Sequence, residues 1–440
     1  MSKLWARTGS GQTASQSSAI LSTDTFTAGL DREFDNLLAV YDVQGSIAHV
    51  KMLVATGILD ETDGTVLVPA LERLLVLAQT GQLSVQPDVE DIHSQVELML
   101  TQELGEAGKK IHAARSRNDQ VLVDLKLFLR AEIQQTAASA EELAITLLNL
   151  SEKFKDVLLP GYTHFQVAMP SSFGLWFGAY AESLSEDLWA LEAAYKLVNK
   201  NPLGSAAGYG SSFPIDRELT TKLLGFNDLH WNVVNAQMSR GKTEKAVATG
   251  LAAIAATLGR FSSDLVLYLC QNFSFLSLPA EYSTGSSIMP HKKNPDIFEL
   301  IRAKCNRIIA LPNEIALISA NLPSGYHRDF QLLKEHLFPA LQELRNCLAM
   351  ANTILPGISV RENILQEDTY KYIFSVEEVN RRVNEGTAFR DAYREVADEI
   401  QSGSFRPAGM VPHTHQGSIG NLSNHKIKEG LEKAASVFRQ

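Results

Sequence analysis

The stretch TEKAVATGLAAIAATLGRFSSDLVLY, Thr243 to Tyr268, decides the fold class. Within it Val247, Leu251, Ile254, Leu258, Phe261, Leu265 and Tyr268 recur at alternating steps of four and three. That spacing lays one apolar stripe along a helix and suits packing against nearly parallel neighbours. No proline lies between Pro214 and Pro279, so nothing of that kind interrupts the helix. Upstream, Arg117 to Leu159 holds neither glycine nor proline, and Pro160-Gly161 then ends the run. Downstream, Asp296 to Leu311 and Asp329 to Leu355 predict two more helices, with Pro312 and Pro339 expected as kinks or breaks. Helices this long exceed the roughly 8–20 residues of the globular norm, and alternating strand patterns are scarce. The expectation is an all-α chain of three helical domains, 1–115, 116–360 and 361–440, the second being a long-helix bundle. One chain rarely buries both faces of such helices, so identical subunits are expected to complete the bundle.

Composition bounds the rest. Apolar residues make up 45% of the 440 residues and charged residues 20%, an ordinary globular mixture. Forty basic against fifty acidic side chains give a net charge of −10. That balance argues against sequence-independent DNA binding, which rests on phosphate neutralisation, but leaves room for a local basic pocket. Cys270, Cys305 and Cys347 show neither metal-ligand spacing nor a disulfide framework. The opening Met1-Ser2-Lys3-Leu4-Trp5-Ala6-Arg7 lacks the apolar core of a secretory signal, and no uninterrupted apolar stretch reaches bilayer length. A cytoplasmic protein without nucleic-acid or membrane partners is expected. The Ser/Thr-rich start, Thr8 to Thr27, reads as mobile. From about Val360 the chain is more polar and carries Gly403, Pro407, Gly409 and Pro412, the mark of a small separate helical domain.

Polar segments punctuate the helices, and loops on a rigid scaffold are where function concentrates. Arg115-Ser116-Arg117-Asn118-Asp119-Gln120 opens a long helix, where arginines, an amide and free N–H groups suit a carboxylate. A helix cap with surface arginines would look the same. Gly161-Tyr162-Thr163-His164-Phe165-Gln166 places a histidine, the side chain that titrates near neutrality, in a turn. Gly285-Ser286-Ser287-Ile288-Met289-Pro290-His291-Lys292-Lys293-Asn294-Pro295 is the sharpest signal. It offers a hydroxyl, backbone N–H groups and two lysines, and it exposes Ile288 and Met289 for no reason of stability. Tyr326-His327-Arg328-Asp329, followed by Gln331 and Lys334, reads alone as a solvated amphipathic face.

These groups suit a β-elimination from a succinyl group attached to nitrogen. A proton leaves the carbon next to a carboxylate, and nitrogen departs from the neighbouring carbon. Losing that proton adds negative charge to a carboxylate, so fixed positive charge and hydrogen-bond donors are needed there. The Gly-Ser-Ser backbone, Lys292 and Asn294 could supply them. Ser286 and His164 are the available pair for base and acid, and Arg117, Asn118 and Thr163 are candidates for holding the carboxylates. The chemistry requires no metal and no organic cofactor.

Taken together, in this order and at these separations, the three blocks resemble the fumarase/aspartase superfamily, over nearly the whole chain. Asp42-Val43-Gln44-Gly45-Ser46, the 115–120 and 161–166 blocks, Lys292-Lys293-Asn294-Pro295-Asp296 and Gly386-Thr387-Ala388-Phe389-Arg390 are similar to its argininosuccinate lyase branch. The resemblance implies a homotetramer whose active sites are shared between subunits. It also implies the conversion of argininosuccinate to arginine and fumarate in arginine biosynthesis. It matches His164, Ser286 and Glu299 to catalytic positions, with Glu299 pairing His164. Ser286 is then favoured as base and His164 as acid, although the opposite assignment is also described for the family. It matches Asn118, Thr163, Asn294, Tyr326, Gln331 and Lys334 to substrate-holding positions, and Arg117 and Lys292 to supporting charges. His93, in Glu90-Asp91-Ile92-His93, belongs to another family-like block and is equally readable as structural. Three departures stand out: Thr27-Ala28-Gly29 where a serine is usual, Ser239-Arg240-Gly241-Lys242-Thr243 in place of Ser-x-Arg-Asp, and His291 in place of glutamine. Arg240 is a further contact candidate. The competing readings are a sibling lyase acting on adenylosuccinate, aspartate or malate, and a non-catalytic crystallin-like structural protein. A metal site at His413-Thr414-His415 is set aside for want of a third ligand.

Overall fold

The computed structural model describes residues 26–27, 29–406, 409–411 and 413–439. The Ser/Thr-rich start up to residue 25 lies outside the described residues, as do Ala28, Pro407 and Pro412. Five long helices dominate: α4 (Arg117–Lys153), α5 (Phe173–Val198), α6 (Lys242–Leu269), α7 (Asp296–Ile318) and α8 (Leu332–Ile354). Three others precede them, α1 (Asp31–Ala55), α2 (Glu61–Gln79) and α3 (Ile92–Leu104). The chain divides into two compact units, each drawn from three separate stretches. The first is Met1–Ile133, Ala193–Thr249 and Ala310–Gln342; the second is Gln134–Glu192, Gly250–Ile309 and Glu343–Gln440.

The all-helical expectation holds, and the apolar stripe that suggested it is buried. Val247, Leu251, Ile254, Leu258, Phe261 and Leu265 on α6 are all 0–1% exposed. Two expected breaks are not breaks. Helix α7 runs through Pro312 and α8 through Pro339. A proline removes one backbone donor, but Ile308, Leu311 and Ile315 stay buried across the first site, and Leu337, Leu341 and Leu344 across the second. Burial of those continuous rows offsets the missing bond. Helices α1 and α6 have the length and mean hydropathy, 1.2 and 1.3, of a membrane span. More than half of each such stretch is buried inside the protein, which accounts for its apolar character.

In the first unit α1, α2 and α3 enclose a core that includes Val43, Leu53, Leu67, Leu71, Val96 and Leu100. The Asp91 side chain caps α3 by accepting the Ser94 amide at 2.8 Å. Asp119, fully buried, accepts the amides of Ser116, Gly204 and Ala206 at 2.9–3.0 Å. It thereby fixes the turn that opens α4.

In the second unit the chain makes a hairpin that the sequence reading did not foresee. β1 (Leu158–Thr163) pairs antiparallel with β2 (Gln166–Ser172), and the closing pair Thr163↔Gln166 leaves His164-Phe165 as a two-residue tip. Pro160-Gly161 therefore does not stop the helix, which has already ended at Lys153. It shapes an irregularity in the strand, where a Cβ on Gly161 would lie 2.8 Å from the Met169 carbonyl oxygen. Beyond the hairpin an aromatic cluster packs around Trp176, with Phe177, Tyr180, Phe261 and Tyr268 at 4.6–5.9 Å between ring centres. The Trp176 Nε1–H and the Tyr180 hydroxyl donate to Asp264 at 3.0 and 2.6 Å. The polar C-terminal stretch forms α9 (Ser375–Asn384), α10 (Phe389–Ser402) and α11 (Asn424–Ser436), with Val379, Ala392, Val396 and Phe405 forming a small core.

Lys126 is buried on α4 and donates to the Leu197 carbonyl at 2.9 Å. Burial pushes its pKa from 10.5 down to about 7, against an opposing pull from Glu244. Below that value both states carry the proton, and the folded chain bears the full cost of a buried charge. Between there and the unfolded value the unfolded chain holds more protons, so stability climbs with pH. Lys126→Met should therefore raise the melting temperature more at about pH 6 than at about pH 9.5. Equal shifts at both pH values in paired thermal scans would show that Lys126 does not titrate in that window.

Candidate functional site

A cavity of about 570 Å³ opens in the first unit. Its wall joins the turn before α1, the start of α3, the start of α4, Arg240, and the segment from Tyr326 to Lys334. Of the expected substrate-holding residues, Arg117, Asn118, Tyr326, Gln331 and Lys334 all line it, and so do Thr27 and Arg240 from the departures. Gln331 donates to the Thr27 carbonyl at 3.0 Å, which ties the two ends of the described first unit together at the cavity.

Lys334 and Arg117 are already matched by carboxylates. Lys334 Nζ lies 2.6 Å from Asp31 Oδ1 and 2.6 Å from Asp35 Oδ1. Burial works against its charge, but the two carboxylates hold its pKa above the usual lysine value. Arg117 donates to Glu90 at 2.8 Å and to the Ser94 hydroxyl at 2.7 Å, with Asp91 at 3.4 Å. Asp31, Asp35, Asp88, Glu90 and Asp91 thus face Arg32, Arg117, Arg240, Arg328 and Lys334 around one cavity, five carboxylates to five fixed cations. Sequence reading missed most of these acids. The signal was the one-turn spacing of Asp31 and Asp35 on α1, but their partner stands 299 residues on. Arg115, read with Arg117 as a carboxylate ligand, is a correction. It does not line this cavity and donates instead to the Ser46 hydroxyl at 3.0 Å and the Ile111 carbonyl at 3.2 Å.

The second unit carries the other expected residues. Thr163 and His164 are exposed at the hairpin, with His164 at φ +54° and Phe165 at φ +57°. Two positive φ values define a type I′ turn, normally built from Asn or Gly, so the tip is a strained presentation of an imidazole. The Ser286 hydroxyl oxygen accepts the amides of Ile288 and Met289 at 3.3 and 3.1 Å. The loop's ends close as a short antiparallel pair, Thr284↔Asn294 and Gly285↔Lys293. Asn294 donates to the Thr284 hydroxyl at 3.4 Å, and that hydroxyl also bonds Asp296. Lys292 is exposed, and Glu299 is exposed in the first turn of α7. His413 is engaged by Glu377 at 3.1 Å and Ser418 at 2.6 Å, a structural role.

On the wall of the same cavity, His93 lies between two aspartates. Its Nδ1 is 2.7 Å from Asp42 Oδ1 and 3.6 Å from Asp124 Oδ2. These three residues hold ligand atoms within 4.8 Å of one another, a spacing that could take a cation. A proton already serves that purpose. Burial opposes charge on the ring, but Asp42, Asp91 and Asp124 raise its pKa to about 10. Because the folded value is raised, the stabilisation is complete below the unfolded value of 6.5 and fades as pH rises toward 10. His93→Leu would leave two buried carboxylates facing each other. It should lower stability by roughly 3–5 kcal/mol near neutrality, with a smaller gap at high pH, as followed by urea unfolding. Wild-type stability in the variant would remove the imidazolium from this account.

Comparison with known proteins now bears on this geometry. A family model described as "Lyase" matches residues 24–310. An argininosuccinate lyase of Phocaeicola vulgatus is 55% identical over 415 residues, covering 94% of this chain and 93% of that protein. One from Parabacteroides distasonis is 57% identical with the same coverage, and one from Thermotoga neapolitana is 39% identical over 86% of this chain and 94% of its own length. Among solved structures, an EDDS lyase in complex with formate superposes with a TM-score of 0.70 at 23% identity, over 96% of this chain and 86% of that one. A fumarate lyase:delta crystallin from Brucella melitensis bound to cobalt gives 0.72 at 18% identity, over 92% and 90%; these two speak for the fold alone. By the breadth and identity of its match to the curated relatives, the chain belongs to the argininosuccinate lyases of the fumarase/aspartase superfamily.

Proposed function

We infer that this chain cleaves argininosuccinate reversibly to arginine and fumarate, as a carbon–nitrogen lyase of arginine biosynthesis. The carrying observation is identity of 55–57% along 94% of the chain to argininosuccinate lyases. The cavity supports the same substrate. Argininosuccinate bears a guanidinium and an ammonium as well as carboxylates, and a wall of five carboxylates and five fixed cations suits such a mixed charge. A phosphate-bearing succinyl nucleotide would call for a large excess of positive charge, whereas here even the protonated His93 on the wall is matched by Asp42 and Asp124.

In this reading Ser286 takes the proton from the succinyl carbon. The two amides that bond its oxygen favour the alkoxide over the neutral hydroxyl. Lys292 and Asn294, in the same loop, stabilise the charge that develops on the adjacent carboxylate. As the carbon–carbon double bond of fumarate forms, the carbon–nitrogen bond breaks, and His164, oriented by Glu299, protonates the departing guanidino nitrogen. Arg117, Asn118, Thr163, Tyr326, Gln331 and Lys334 hold the substrate. We read the chain as three functional segments, 1–115, 116–360 and 361–440. The working enzyme is a cytoplasmic homotetramer in which each site takes residues from different copies. Phe165 beside His164 is 79% exposed and Ile288 beside the Ser286 turn is 82% exposed. Apolar tips left in water on two catalytic segments support coverage by another subunit.

Purified enzyme should release fumarate, with arginine in equal amount, from argininosuccinate and not from adenylosuccinate, malate or aspartate. Fumarate from one of the others would move the substrate assignment. Ser286→Ala and His164→Asn should each lower turnover by about 10²-fold or more, the scale of lost acid–base catalysis. Near-normal turnover in either would remove its role. Light scattering should give about four subunits, and mixing inactive Arg117→Ala and Ser286→Ala subunits should restore part of the activity. A fully active monomer would rule out shared sites.

A further inference from the structure

Position 241 in this chain has no room for a side chain. Gly241 has φ +74°, and a Cβ there would come within 2.6 Å of Ser319 Cβ and 3.5 Å of Phe330 Cε1. The residue after Arg240 therefore cannot carry a carboxylate. One helical turn further on, Glu244 supplies it. Its Oε1 accepts from Arg240 Nε at 2.8 Å, and both side chains are only 3% exposed. The same guanidinium donates through Nη2 to the Phe330 carbonyl at 2.9 Å and lies 5.3 Å from the centre of the Phe330 ring. Phe330 belongs to the short helix Arg328–Gln331, within the segment whose Tyr326, Gln331 and Lys334 face the cavity.

We propose that Glu244 is a positioning residue of this site: acting through Arg240, it fixes the Phe330 carbonyl and so sets the cavity wall from Tyr326 to Lys334. A guanidinium this deeply buried needs a counter-charge. With Glu244 in place, the planar fork of Arg240 is shared between one carboxylate and one backbone carbonyl, a geometry that lysine could not reproduce. Without it, the carboxylates that share the cavity with Arg240 would remain to compensate its charge. Asp31 already feels the charge of Arg240, so an uncompensated Arg240 would be drawn toward the pair that holds Lys334. The wall would then lose its carbonyl anchor and its charge pairing together.

The choice of assay rests on the argininosuccinate reading; the mechanical claim does not. In the full-length assembled enzyme, Glu244→Gln keeps the shape and removes the charge. Its KM for argininosuccinate should rise about tenfold or more, the scale of one lost charged hydrogen bond, while kcat stays within about threefold. Hydrogen–deuterium exchange should quicken in residues 326–334 before it changes elsewhere. Glu244→Asp, which keeps the charge on a shorter stem and serves if the first variant fails to fold, should shift both readouts less. An unchanged KM beside a lowered melting temperature would make Glu244 merely structural and overturn the proposal. Unchanged exchange in 326–334 would overturn it whether or not the wild type cleaves argininosuccinate. A wild type that releases no fumarate would instead overturn the substrate assignment.

Discussion

A charge taken out of water must be met by an opposite charge, and the first unit's cavity is organised around that constraint. Lys334 is met by Asp31 and Asp35, Arg117 by Glu90 and Asp91, Arg240 by Glu244, and His93 by Asp42 and Asp124. Each pair joins segments that are distant in sequence or adjacent turns of one helix. The pairing keeps cationic side chains charged and oriented before any substrate arrives. Under the role proposed for this cavity, a substrate carboxylate would meet groups whose positions are already fixed, which lowers the reorganisation that binding requires.

The second unit meets a different demand, presentation rather than compensation. The hairpin tip holds His164 and Phe165 in a left-handed conformation that costs roughly 1–2 kcal/mol per non-glycine residue. Nothing in the packing of an exposed tip repays that cost, so it is reasonably set against the function proposed for His164. The loop around Ser286 shows the same logic in milder form. Its hydroxyl oxygen is turned onto two backbone amides, and Ile288 and Met289 are left in solvent.

Arg240 and Gly241 show how local packing places a counter-charge. Glycine at 241 permits close approach to Ser319 and forbids a carboxylate there. The helical repeat then makes 244 the next position that can face Arg240.

The sequence by itself determined the helices, since a stripe at steps of four and three needs no partner to be read. It also marked the segments proposed here to hold chemistry, since glycine, proline and charged residues break the apolar pattern in those places. Asn118, Tyr326, Gln331 and Lys334, which line the cavity, were legible as candidate site residues only through the resemblance of their surroundings, and Tyr326 to Lys334 looked alone like a solvated face. The hairpin at 158–172, the continuity of α7 and α8 through their prolines, and the diversion of Arg115 away from the cavity were decided by tertiary structure. So were the partners of every buried charge. Local periodicity reports which face of an element is apolar; which carboxylate, about 300 residues away in the case of Lys334, will meet a given ammonium depends on how those faces pack, and only the folded chain sets that.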